Sequence, residues 1–423
     1  MDKFVINGGI PLRGEIPVSG AKNAALALMP ATILAAGKSV LRNTPRLNDI
    51  YTMEKLLNHL GVKSSFDGYN INLDTSKIVS FEAPYEHVKK MRASVYVLGP
   101  LLAKYGYAKV SLPGGCAWGP RPINLHLEAM SKLGAEIELD KGYIIARAKK
   151  KKLTGAKINF DVSSVGATGN ALMAAVLADG VTTINNAAIE PEITNLVQFL
   201  IKMGANIQGV GTRVLTIEGK DNLSPAEITS IPDRIEAGTL LIAAAITNGK
   251  ITLKNINADL LKSVILKLED SGMKITSTNN SISIESQGTG IKNCDVVTSI
   301  FPGFPTDMQA QWTAYMSLAN GVSTVTDTIY PDRFKHVPEL VRLGADISVN
   351  ENSAIITGVR KLIGAKVMST DLRASASLVL AGLAAEGTTE ILRVYHLDRG
   401  YQRIEEKLKL LGADIQRVAG KEY

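Results

Sequence analysis

Apolar residues along this chain recur in a long-range pattern. A helical apolar segment that ends in a glycine occurs six times with nearly constant spacing. Similarity at a fixed period indicates a repeated architecture and has to be recognised before single elements are assigned. The closing glycines are Gly37, Gly106, Gly180, Gly249, Gly321 and Gly387.

A second glycine marker lies between the first ones and has nearly the same period. It follows amphipathic segments such as LIKMG and LVRLG, and it also occurs six times. Glycine directly after a helix favours a left-handed C-terminal cap, so each marker predicts a helix end. These glycines are Gly61, Gly134, Gly204, Gly272, Gly344 and Gly412.

Alternating apolar and polar residues follow each second glycine and predict two strands joined by a turn, as in residues 205–219, ANIQGVGTRVLTIEG. A short β-rich run and a helix lie between the two markers. Each unit therefore reads helix, strand, helix, strand, strand over roughly 70 residues. Strands that alternate with helices favour an α/β protein over a stacked rod.

The 423 residues are too many for one small core. Six units divide naturally into two groups of three, and residues 223–234, LSPAEITSIPDR, are the predicted crossover because they contain two prolines near the midpoint. We predict a first domain over residues 22–231. The second domain takes residues 1–21 and 232–423 and is closed by the N-terminal strand segment.

Composition and charge narrow the classes of function. Hydrophobic residues make up 45% and charged residues 21%, which excludes disordered, collagen-like and coiled-coil proteins. Aromatic residues make up 5%, a low content for a surface that stacks nucleic-acid bases. The net charge of +7 suits either anionic substrates or a polyanionic partner, and charge alone leaves both open.

Metal-ligand and disulfide spacings are missing from the sequence. Cys116 and Cys294 form no CxxC pair, and the five histidines show no HExxH or paired spacing. We therefore expect no metal site and a reducing, cytoplasmic location. The longest apolar stretch, residues 24–36, is too short to span a bilayer and contains Pro30, so no membrane partner is expected.

One loop departs from the repeat pattern. Residues 113–122, PGGCAWGPRP, contain three glycines and three prolines, and such breaks concentrate where function lies. A neighbouring cation can lower the pKa of a cysteine thiol, and a cysteine in such a loop is a candidate nucleophile or proton donor. A small apolar filler is the alternative, and the residues alone leave both interpretations of Cys116 open. Cys294 is predicted to be a packing residue.

Polar residues also gather at predicted helix starts. Free N–H groups and the positive end of the helix dipole favour phosphate or carboxylate ligands there. Lys22, Arg92 and Arg373 would add full charges. Asp307 and Asp371 have a second interpretation, because an aspartate at a helix start also caps the helix.

Seven segments together resemble the UDP-N-acetylglucosamine 1-carboxyvinyltransferases, a family of enolpyruvyl transferases. They cover essentially the whole chain and are SGAKNAALAL, PGGCAWGPRPINLHL, SVGAT, IPDRIEAGT, FPTDMQAQ, DLRASASLVLAGL and YHLDRGY. The resemblance implies an α/β fold of two inside-out α/β barrel domains, with three βαβαββ-type repeats in each. It also implies transfer of the enolpyruvyl group of phosphoenolpyruvate to the 3'-hydroxyl of UDP-N-acetylglucosamine, the first committed step of peptidoglycan synthesis.

The resemblance further implies residues that bind the two substrates. Matching positions for phosphoenolpyruvate are Lys22, Asn23, Arg121, Arg373 and Arg399. Those for the sugar nucleotide are Arg92, Arg121, Pro122, Ile123, Asn124, Leu125, Ser164, Val165, Gly166, Asp307 and Ile329. Asn124 stands where many members have aspartate and Val162 where some have lysine, so no side-chain contact with the nucleotide is assumed at either position.

The chemistry that the resemblance implies, addition of an alcohol to a vinyl group, needs one acid and one base, and it calls for no metal or organic cofactor. By resemblance, Cys116 is the acid and the target of the epoxide antibiotic fosfomycin, and Asp307 is the base at the 3'-hydroxyl. Asp371 is a second carboxylate that shares proton traffic. The division of roles among these three groups stays open, because groups in one site titrate as a coupled set.

Two alternatives remain. One is an enzyme like 5-enolpyruvylshikimate-3-phosphate synthase, which shares fold and donor, although the cysteine loop speaks against it. The other is a repeat scaffold that binds nucleic acid through its +7 charge, with binding that weakens steeply with salt. We expect small-molecule substrates and no nucleic-acid partner, and the oligomeric state stays open.

Overall fold

The computed structural model describes residues 2–89, 91–112, 123–149 and 152–420. The chain divides into two compact units. Residues 20–231 form one, here called the N-terminal unit, and residues 1–19 with 232–423 form the other, here called the C-terminal unit. Whether these units fold as independent domains stays a prediction.

Short strands make up the sheets of both units. In chain order they are β1 Lys3–Asn7, β2 Arg13–Pro17, β3 Lys38–Arg42, β4 Lys63–Asp67, β5 Asn70–Asp74, β6 Glu82–Ala83, β7 Tyr107–Ser111, β8 Ala135–Asp140, β9 Tyr143–Ala148, β10 Lys157–Asn159, β11 Val181–Asn185, β12 Asn206–Gln208, β13 Val214–Glu218, β14 Glu227–Thr229, β15 Lys250–Lys254, β16 Met273–Thr278, β17 Ser281–Ser286, β18 Ile291–Lys292, β19 Val296–Val297, β20 Ala319–Asn320, β21 Val322–Thr326, β22 Asp346–Asn350, β23 Ser353–Thr357, β24 Lys366–Met368, β25 Thr388–Leu392 and β26 Asp414–Val418.

The helices are α1 Lys22–Ala31, α2 Asn48–Leu60, α3 Tyr85–Val88, α4 Leu98–Tyr105, α5 Asn124–Lys132, α6 Val165–Ala175, α7 Pro191–Lys202, α8 Arg234–Ile246, α9 Lys262–Asp270, α10 Gln309–Met316, α11 Val337–Arg342, α12 Leu372–Ala384 and α13 Ile404–Leu410. Five 3-10 helices accompany them in the described residues, at Thr32–Leu34, Arg92–Val97, Ala258–Leu261, Thr306–Met308 and Val394–Arg399. The predicted helix starts at Arg92 and Asp307 are therefore 3-10 turns that lead into α4 and α10.

The sheets repeat one plan. The described part of the N-terminal unit has three four-stranded sheets, ordered β14-β3-β5-β4, β6-β7-β9-β8 and β10-β11-β13-β12. That of the C-terminal unit has β24-β25-β1-β26, β16-β17-β15-β2 and β19-β21-β23-β22, with a two-stranded β18-β20. Each four-stranded sheet contains one parallel and two antiparallel pairs. Small mixed sheets in repeated units confirm the coarse α/β prediction.

The N-terminal strands join sheets whose other strands come from the later part of the chain. β1 lies between β25 and β26, with Phe4 opposite Ile391 in the antiparallel pair. β2 pairs in parallel with β15 and sets Ile16 opposite Leu253. All four of these side chains are buried, so the pairing extends the apolar core of the C-terminal unit.

Helices of two kinds cover the sheets. α2, α7 and α9 are amphipathic, whereas α6, α8, α10 and α12 bury nearly every residue. A helix that is apolar on all sides must be surrounded by protein. In the C-terminal unit α8, α10 and α12 each pack against the other two, so the helices that precede the first glycine marker form the centre of its core.

The glycine markers behave as the pattern predicts, with one exception. All six glycines of the second marker have φ between 89° and 109°, the left-handed region that suits a helix end. In the first marker Gly249 departs, because Asn248 takes the left-handed conformation instead. A Cβ at Gly249 would lie 2.4 Å from the Leu12 carbonyl oxygen, so close backbone approach is what requires glycine there.

Candidate active site

Asp307 lies between two arginines in the C-terminal unit. Arg333 Nη2 is 2.8 Å from Asp307 Oδ1, and Arg373 Nη2 is 2.7 Å from Oδ2. The arginine side chains are 7% and 5% exposed, whereas that of Asp307 is 28% exposed. Each carboxylate oxygen thus faces a buried cation while part of the side chain still reaches solvent. Asp307 lies inside the 3-10 helix Thr306–Met308, whose N-cap is Pro305. The capping interpretation of Asp307 is therefore wrong.

Arg373 is charged despite its burial. Burial is the largest single effect on the pKa of the guanidinium and lowers it, but Asp307 and, to a smaller extent, Tyr401 and Asp233 together raise the pKa above its usual value. Arg373 belongs to α12, two residues after Asp371. Arg373, which is predicted to bind an anionic substrate group, thus already pairs with a carboxylate of the chain. The same guanidinium chemistry binds a phosphate or carboxylate group of a substrate.

A hydrogen-bonded chain leads from Asp307 to Ile329. Arg333 Nη1 donates to Thr306 Oγ1 over 2.9 Å, and Thr306 Oγ1 donates to Asp327 Oδ2 over 2.7 Å. Asp327 Oδ1 accepts from the Ile329 backbone N–H at 3.0 Å. Asp327 is fully buried, so this chain holds two predicted nucleotide contacts, Asp307 and Ile329, in a defined arrangement.

Asp371 has structural partners of a different kind. Its Oδ1 accepts from the backbone N–H groups of Arg373 and Ala374 at 2.9 and 3.1 Å. Thr370 Oγ1 donates to the other oxygen over 3.2 Å. The capping interpretation is therefore confirmed for Asp371, which orients α12 and with it the start of the Arg373 side chain.

Arg399 ends the 3-10 helix Val394–Arg399 and shares a neighbour with Asp371. Burial lowers the pKa of His396, Asp371 raises it, and Arg399 and Arg393 lower it. Asp371 and Arg399 therefore both lie close enough to His396 to act on its charge. Ion pairs and hydrogen bonds link Asp307, Ile329, Asp371 and Arg373 within the C-terminal unit, and Arg399 acts with Asp371 on the charge of His396.

In the N-terminal unit Lys22 is the first residue of α1 and Asn23 the second. Lys22 Nζ lies 3.4 Å from Asp49 Oδ2, with the side chains 12% and 6% exposed. α1 packs against the 3-10 helix Arg92–Val97. Lys22 and Arg92 are thus carried by neighbouring elements.

His126 connects Arg92 with the starts of α5 and α6. Burial, and then the charge of Arg92, lower the pKa of His126 to about 4. Its ring nitrogen Nδ1 is 2.9 Å from Asn170 Nδ2. A Cβ at Gly166 would lie 3.0 Å from His126 Nε2, so glycine at that position lets the ring approach the first turn of α6.

The hydrogen bonds of Asn170 settle the histidine tautomer. Asn170 Nδ2 donates one proton to the Val95 carbonyl over 2.9 Å, which leaves its second proton for His126 Nδ1. Nδ1 therefore accepts, and the proton of the neutral ring is on Nε2, the nitrogen beside Gly166. The sequence analysis assigned no role to this histidine, and its place in the INLHL run that follows the cysteine loop was the available signal for one.

The start of α6 is suited to an anion. Ser164 caps it through Oγ, which accepts from the Ala167 N–H at 3.3 Å, and no acidic residue lies in the first turn. Val165 and Gly166 are the first two helical residues. Ile123 precedes α5, which Asn124 and Leu125 begin. The remaining predicted residues Cys116, Arg121 and Pro122 lie outside the described residues.

Sequence reasoning missed Arg333 and Asp327. The tripeptide Pro-Asp-Arg occurs at residues 232–234 and again at 331–333, and that recurrence was the available signal for Arg333. Cys294 is 8% exposed, and burial raises the pKa of its thiol, as expected for a packing residue. The described residues contain no group of three or more His, Cys, Asp or Glu side chains arranged to hold a metal ion.

Comparison with known proteins adds to this geometry. Residues 6–408 match the family described as EPSP synthase (3-phosphoshikimate 1-carboxyvinyltransferase). UDP-N-acetylglucosamine 1-carboxyvinyltransferase of Chloroherpeton thalassium is 56% identical over 424 residues, 100% of this chain and 99% of the relative. The enzyme of the same name from Ruthia magnifica is 54% identical over 419 residues, with 99% and 100% covered.

Solved structures share the fold at lower identity. The enolpyruvyl transferase NikO from Streptomyces tendae has a TM-score of 0.90 at 24% identity, with 99% of each chain covered. EPSP synthase from Acinetobacter baumannii has a TM-score of 0.76 at 18% identity, with 99% of this chain and 100% of that one covered. Full-length identity above one half separates the first set of relatives from these two. The chain therefore belongs to the enolpyruvyl transferases and, among them, to the UDP-N-acetylglucosamine 1-carboxyvinyltransferase family.

Proposed function

We propose that this chain transfers the enolpyruvyl group of phosphoenolpyruvate to the 3'-hydroxyl of UDP-N-acetylglucosamine, the activity of EC 2.5.1.7 and the first committed step of peptidoglycan synthesis. The observation that carries the proposal is 54% to 57% identity to enzymes of that name over essentially the full length. The Asp307 carboxylate between two buried arginines supports it, because the reaction needs a base beside groups that bind anions.

The reaction is an addition followed by an elimination. The 3'-oxygen forms a bond to C2 of phosphoenolpyruvate as its proton leaves, and C3 gains a proton to become a methyl group. The resulting tetrahedral ketal then breaks its C2–O bond to phosphate, and the methyl group gives up a proton to restore the double bond. Inorganic phosphate is the second product, so each turnover needs one acid and one base in each half.

Three residues carry the proton transfers in this proposal. Cys116 protonates C3, since a thiol with an ordinary pKa of about 8.5 is protonated at neutral pH. Asp307 accepts the proton of the 3'-hydroxyl, and its partial exposure leaves the carboxylate within reach of substrate. Asp371 serves as a second carboxylate during elimination, through the oxygen that does not cap α12.

Cationic and amide groups bind the substrates. The residues proposed for phosphoenolpyruvate are Lys22, Asn23, Arg121, Arg373 and Arg399. Those proposed for the sugar nucleotide are Arg92, Arg121, Pro122, Ile123, Asn124, Leu125, Ser164, Val165, Gly166, Asp307 and Ile329. Cations preorganised around a phosphate and a carboxylate stabilise the charge that develops as the ketal forms and breaks. The Ser164-capped start of α6 adds free N–H groups for an anion.

We also propose the finer architecture and location. Three four-stranded sheets accompany mutually packed buried helices in the C-terminal unit, which supports an inside-out α/β barrel with helices at its centre and three repeats per domain. A cytoplasmic location agrees with the soluble substrates of this step. None of the described helices has the length and apolar character to cross a membrane.

Phosphate release with two acceptors tests the function. We expect release from phosphoenolpyruvate with UDP-N-acetylglucosamine and none with shikimate 3-phosphate. A Cys116→Ser variant should lose about 100-fold or more in rate, the usual range for a removed general acid. Release with shikimate 3-phosphate alone would overturn the proposal and favour the alternative enolpyruvyl transferase.

A further inference from the structure

A cluster of four buried polar side chains lies behind the Asp307–Arg373 pair. Thr239 of α8, Gln311 of α10, Arg373 of α12 and Tyr401 meet there, each at most 5% exposed. Tyr401 is not among the residues that bind or react with substrate in the proposal above. Its position between three central helices of the C-terminal unit raises the question of what its hydroxyl does.

The hydrogen bonds of Thr239 fix the direction of the first contact. Thr239 Oγ1 gives its only proton to the Ile235 carbonyl, which can only accept, over 2.8 Å. Tyr401 Oη lies 2.9 Å from the same Oγ1. Tyr401 must therefore be the donor in this contact, and its own proton is used.

The oxygen of Tyr401 is then left as an acceptor. Arg373 Nη1 donates to it over 3.1 Å and Gln311 Nε2 over 3.2 Å. A hydroxyl has one proton and two lone pairs, so Tyr401 has room for the Arg373 bond. Gln311 Nε2 divides its two protons among Tyr401 Oη, Thr239 Oγ1 at 3.1 Å and the Asp307 carbonyl. Burial raises the pKa of Tyr401, against the lowering effect of Arg373, and a neutral hydroxyl is what this arrangement requires.

Gln311 ties the other partner of the ion pair to the same cluster. Its Nε2 donates to the Asp307 backbone carbonyl over 2.9 Å, and that carbonyl determines which end of the amide faces it. The cluster thus contacts Asp307 through its main chain and Arg373 through its guanidinium. Both halves of the ion pair are held by one set of hydrogen bonds.

We infer that Tyr401 is a positioning residue for phosphoenolpyruvate binding, whose hydroxyl holds the Arg373 guanidinium in the orientation that binds an anionic group. The inference rests on the proposed function, because that function assigns phosphoenolpyruvate to Arg373. Tyr401 touches no substrate in this scheme and acts through Arg373. Without this acceptor, the buried Arg373 Nη1 would lose its hydrogen bond to Tyr401, and the guanidinium would rotate toward another acceptor.

Tyr401→Phe tests the inference, because it removes the hydroxyl and keeps the ring. A hydrogen bond to a charged group contributes enough that kcat/KM for phosphoenolpyruvate should fall about 10- to 100-fold. KM for UDP-N-acetylglucosamine should change less than about twofold, since in the described contacts Tyr401 reaches Asp307, a residue proposed for the nucleotide, through Gln311 and Arg373 and not directly. Binding of phosphoenolpyruvate, measured by titration calorimetry, should weaken by a similar factor.

Tyr315→Phe is the matched control. Tyr315 is also buried in the C-terminal unit, and its hydroxyl lies 2.9 Å from Ser271 Oγ, which gives its proton to the Leu268 carbonyl. The variant loses the same kind of hydrogen bond at a place away from the proposed site residues. We expect a comparable loss of thermal stability and unchanged kinetics for both substrates.

A second variant tests the same hydrogen bonds while it leaves Tyr401 and Arg373 unchanged. Thr239→Val removes the acceptor of the Tyr401 proton without touching Arg373, and it should weaken phosphoenolpyruvate binding in the same direction by less. The double variant should be no worse than Tyr401→Phe alone, because both act through one network. Equal kinetics for Tyr401→Phe and Tyr315→Phe, or equal losses for both substrates, would overturn the inference.

The two proposals fail in different ways. Wild-type enzyme that released phosphate only with shikimate 3-phosphate would overturn the proposed function. Calorimetry would in that case still measure how Tyr401→Phe changes the binding of phosphoenolpyruvate. Wild-type enzyme active with UDP-N-acetylglucosamine, together with undiminished phosphoenolpyruvate binding by Tyr401→Phe, would overturn the positioning role alone.

Discussion

Two helix starts in the C-terminal unit carry the same dipeptide and use it differently. Thr370-Asp371 precedes α12, and the Asp371 carboxylate accepts from two backbone N–H groups. Thr306-Asp307 precedes α10, and the Asp307 carboxylate instead faces Arg333 and Arg373. The local sequence is alike, so the difference comes from the cations that distant segments bring to Asp307.

This difference separates Asp371, a carboxylate that caps a helix, from Asp307, the carboxylate proposed to accept a proton. Asp371 is 6% exposed and has one oxygen committed to the helix end. Asp307 is 28% exposed on its side chain, and each of its oxygens faces a guanidinium group. A carboxylate that is oriented by side chains and open to solvent is better placed to exchange a proton with a bound hydroxyl.

The largest expected effect comes from removing the charge of Asp307. Asp307→Asn should lower the rate of phosphate release by about 10²- to 10⁴-fold, the range for a lost general base. Asp371→Asn should cost less, about 10- to 100-fold, because its amide oxygen can still accept from the helix N–H groups. Steady-state phosphate release on both variants checks the order.

The control for this pair is Asp346→Asn, at an exposed position of β22, which should keep the wild-type rate. Circular dichroism should show that all three variants are folded. A larger loss for Asp371→Asn than for Asp307→Asn would reverse the comparison and assign the main proton transfer to the capping residue.

Substitution of the threonine before each of the two aspartates should give the next largest effect, a loss of stability. Thr306 Oγ1 joins Arg333 to the fully buried Asp327, so Thr306→Val should lower the free energy of unfolding by about 2 kcal/mol. Thr370 Oγ1 instead donates to its own neighbour Asp371, over 3.2 Å. Thr370→Val should cost below about 1 kcal/mol. Urea unfolding of both variants measures the difference, and equal losses would mean that the Arg333–Asp327 link adds nothing.

Local features of this site were predictable from the sequence, and long-range ones were not. The glycine helix ends depend on residues within one helical turn, and the pattern predicted them except at Gly249. Capping was one of two interpretations at both Asp307 and Asp371, and the sequence could not show that only Asp371 caps its helix. The partners of Asp307 are Arg333 and Arg373, which belong to later and separate segments of the chain. Only the fold brings such side chains together.

The exception at Gly249 has the same physical origin. Its pattern matched the other glycines of the first marker, but the backbone of Leu12, from the N-terminal strand segment, packs against it. Tyr401 is a further case, because its proposed role depends on the Thr239 hydroxyl of α8 and the Gln311 amide of α10. Sequence pattern predicts the elements of the site, and packing between them decides which residues act on one another.

The last expected effect concerns the helix cap that Asp371 forms. Asp371→Ala removes both acceptor bonds to the start of α12, and such losses typically lower the free energy of unfolding by about 1 kcal/mol. Asp233 caps α8 in the same way, since its Oδ1 accepts from Ile235 and Glu236 N–H groups at 2.9 and 3.0 Å. Asp233→Ala is therefore the matched variant and should show a similar loss in urea unfolding. A loss at Asp371 several times that at Asp233 would show that its carboxylate stabilises more than the helix end, and the contrast with Asp307 would then have to include its effect on the charge of His396.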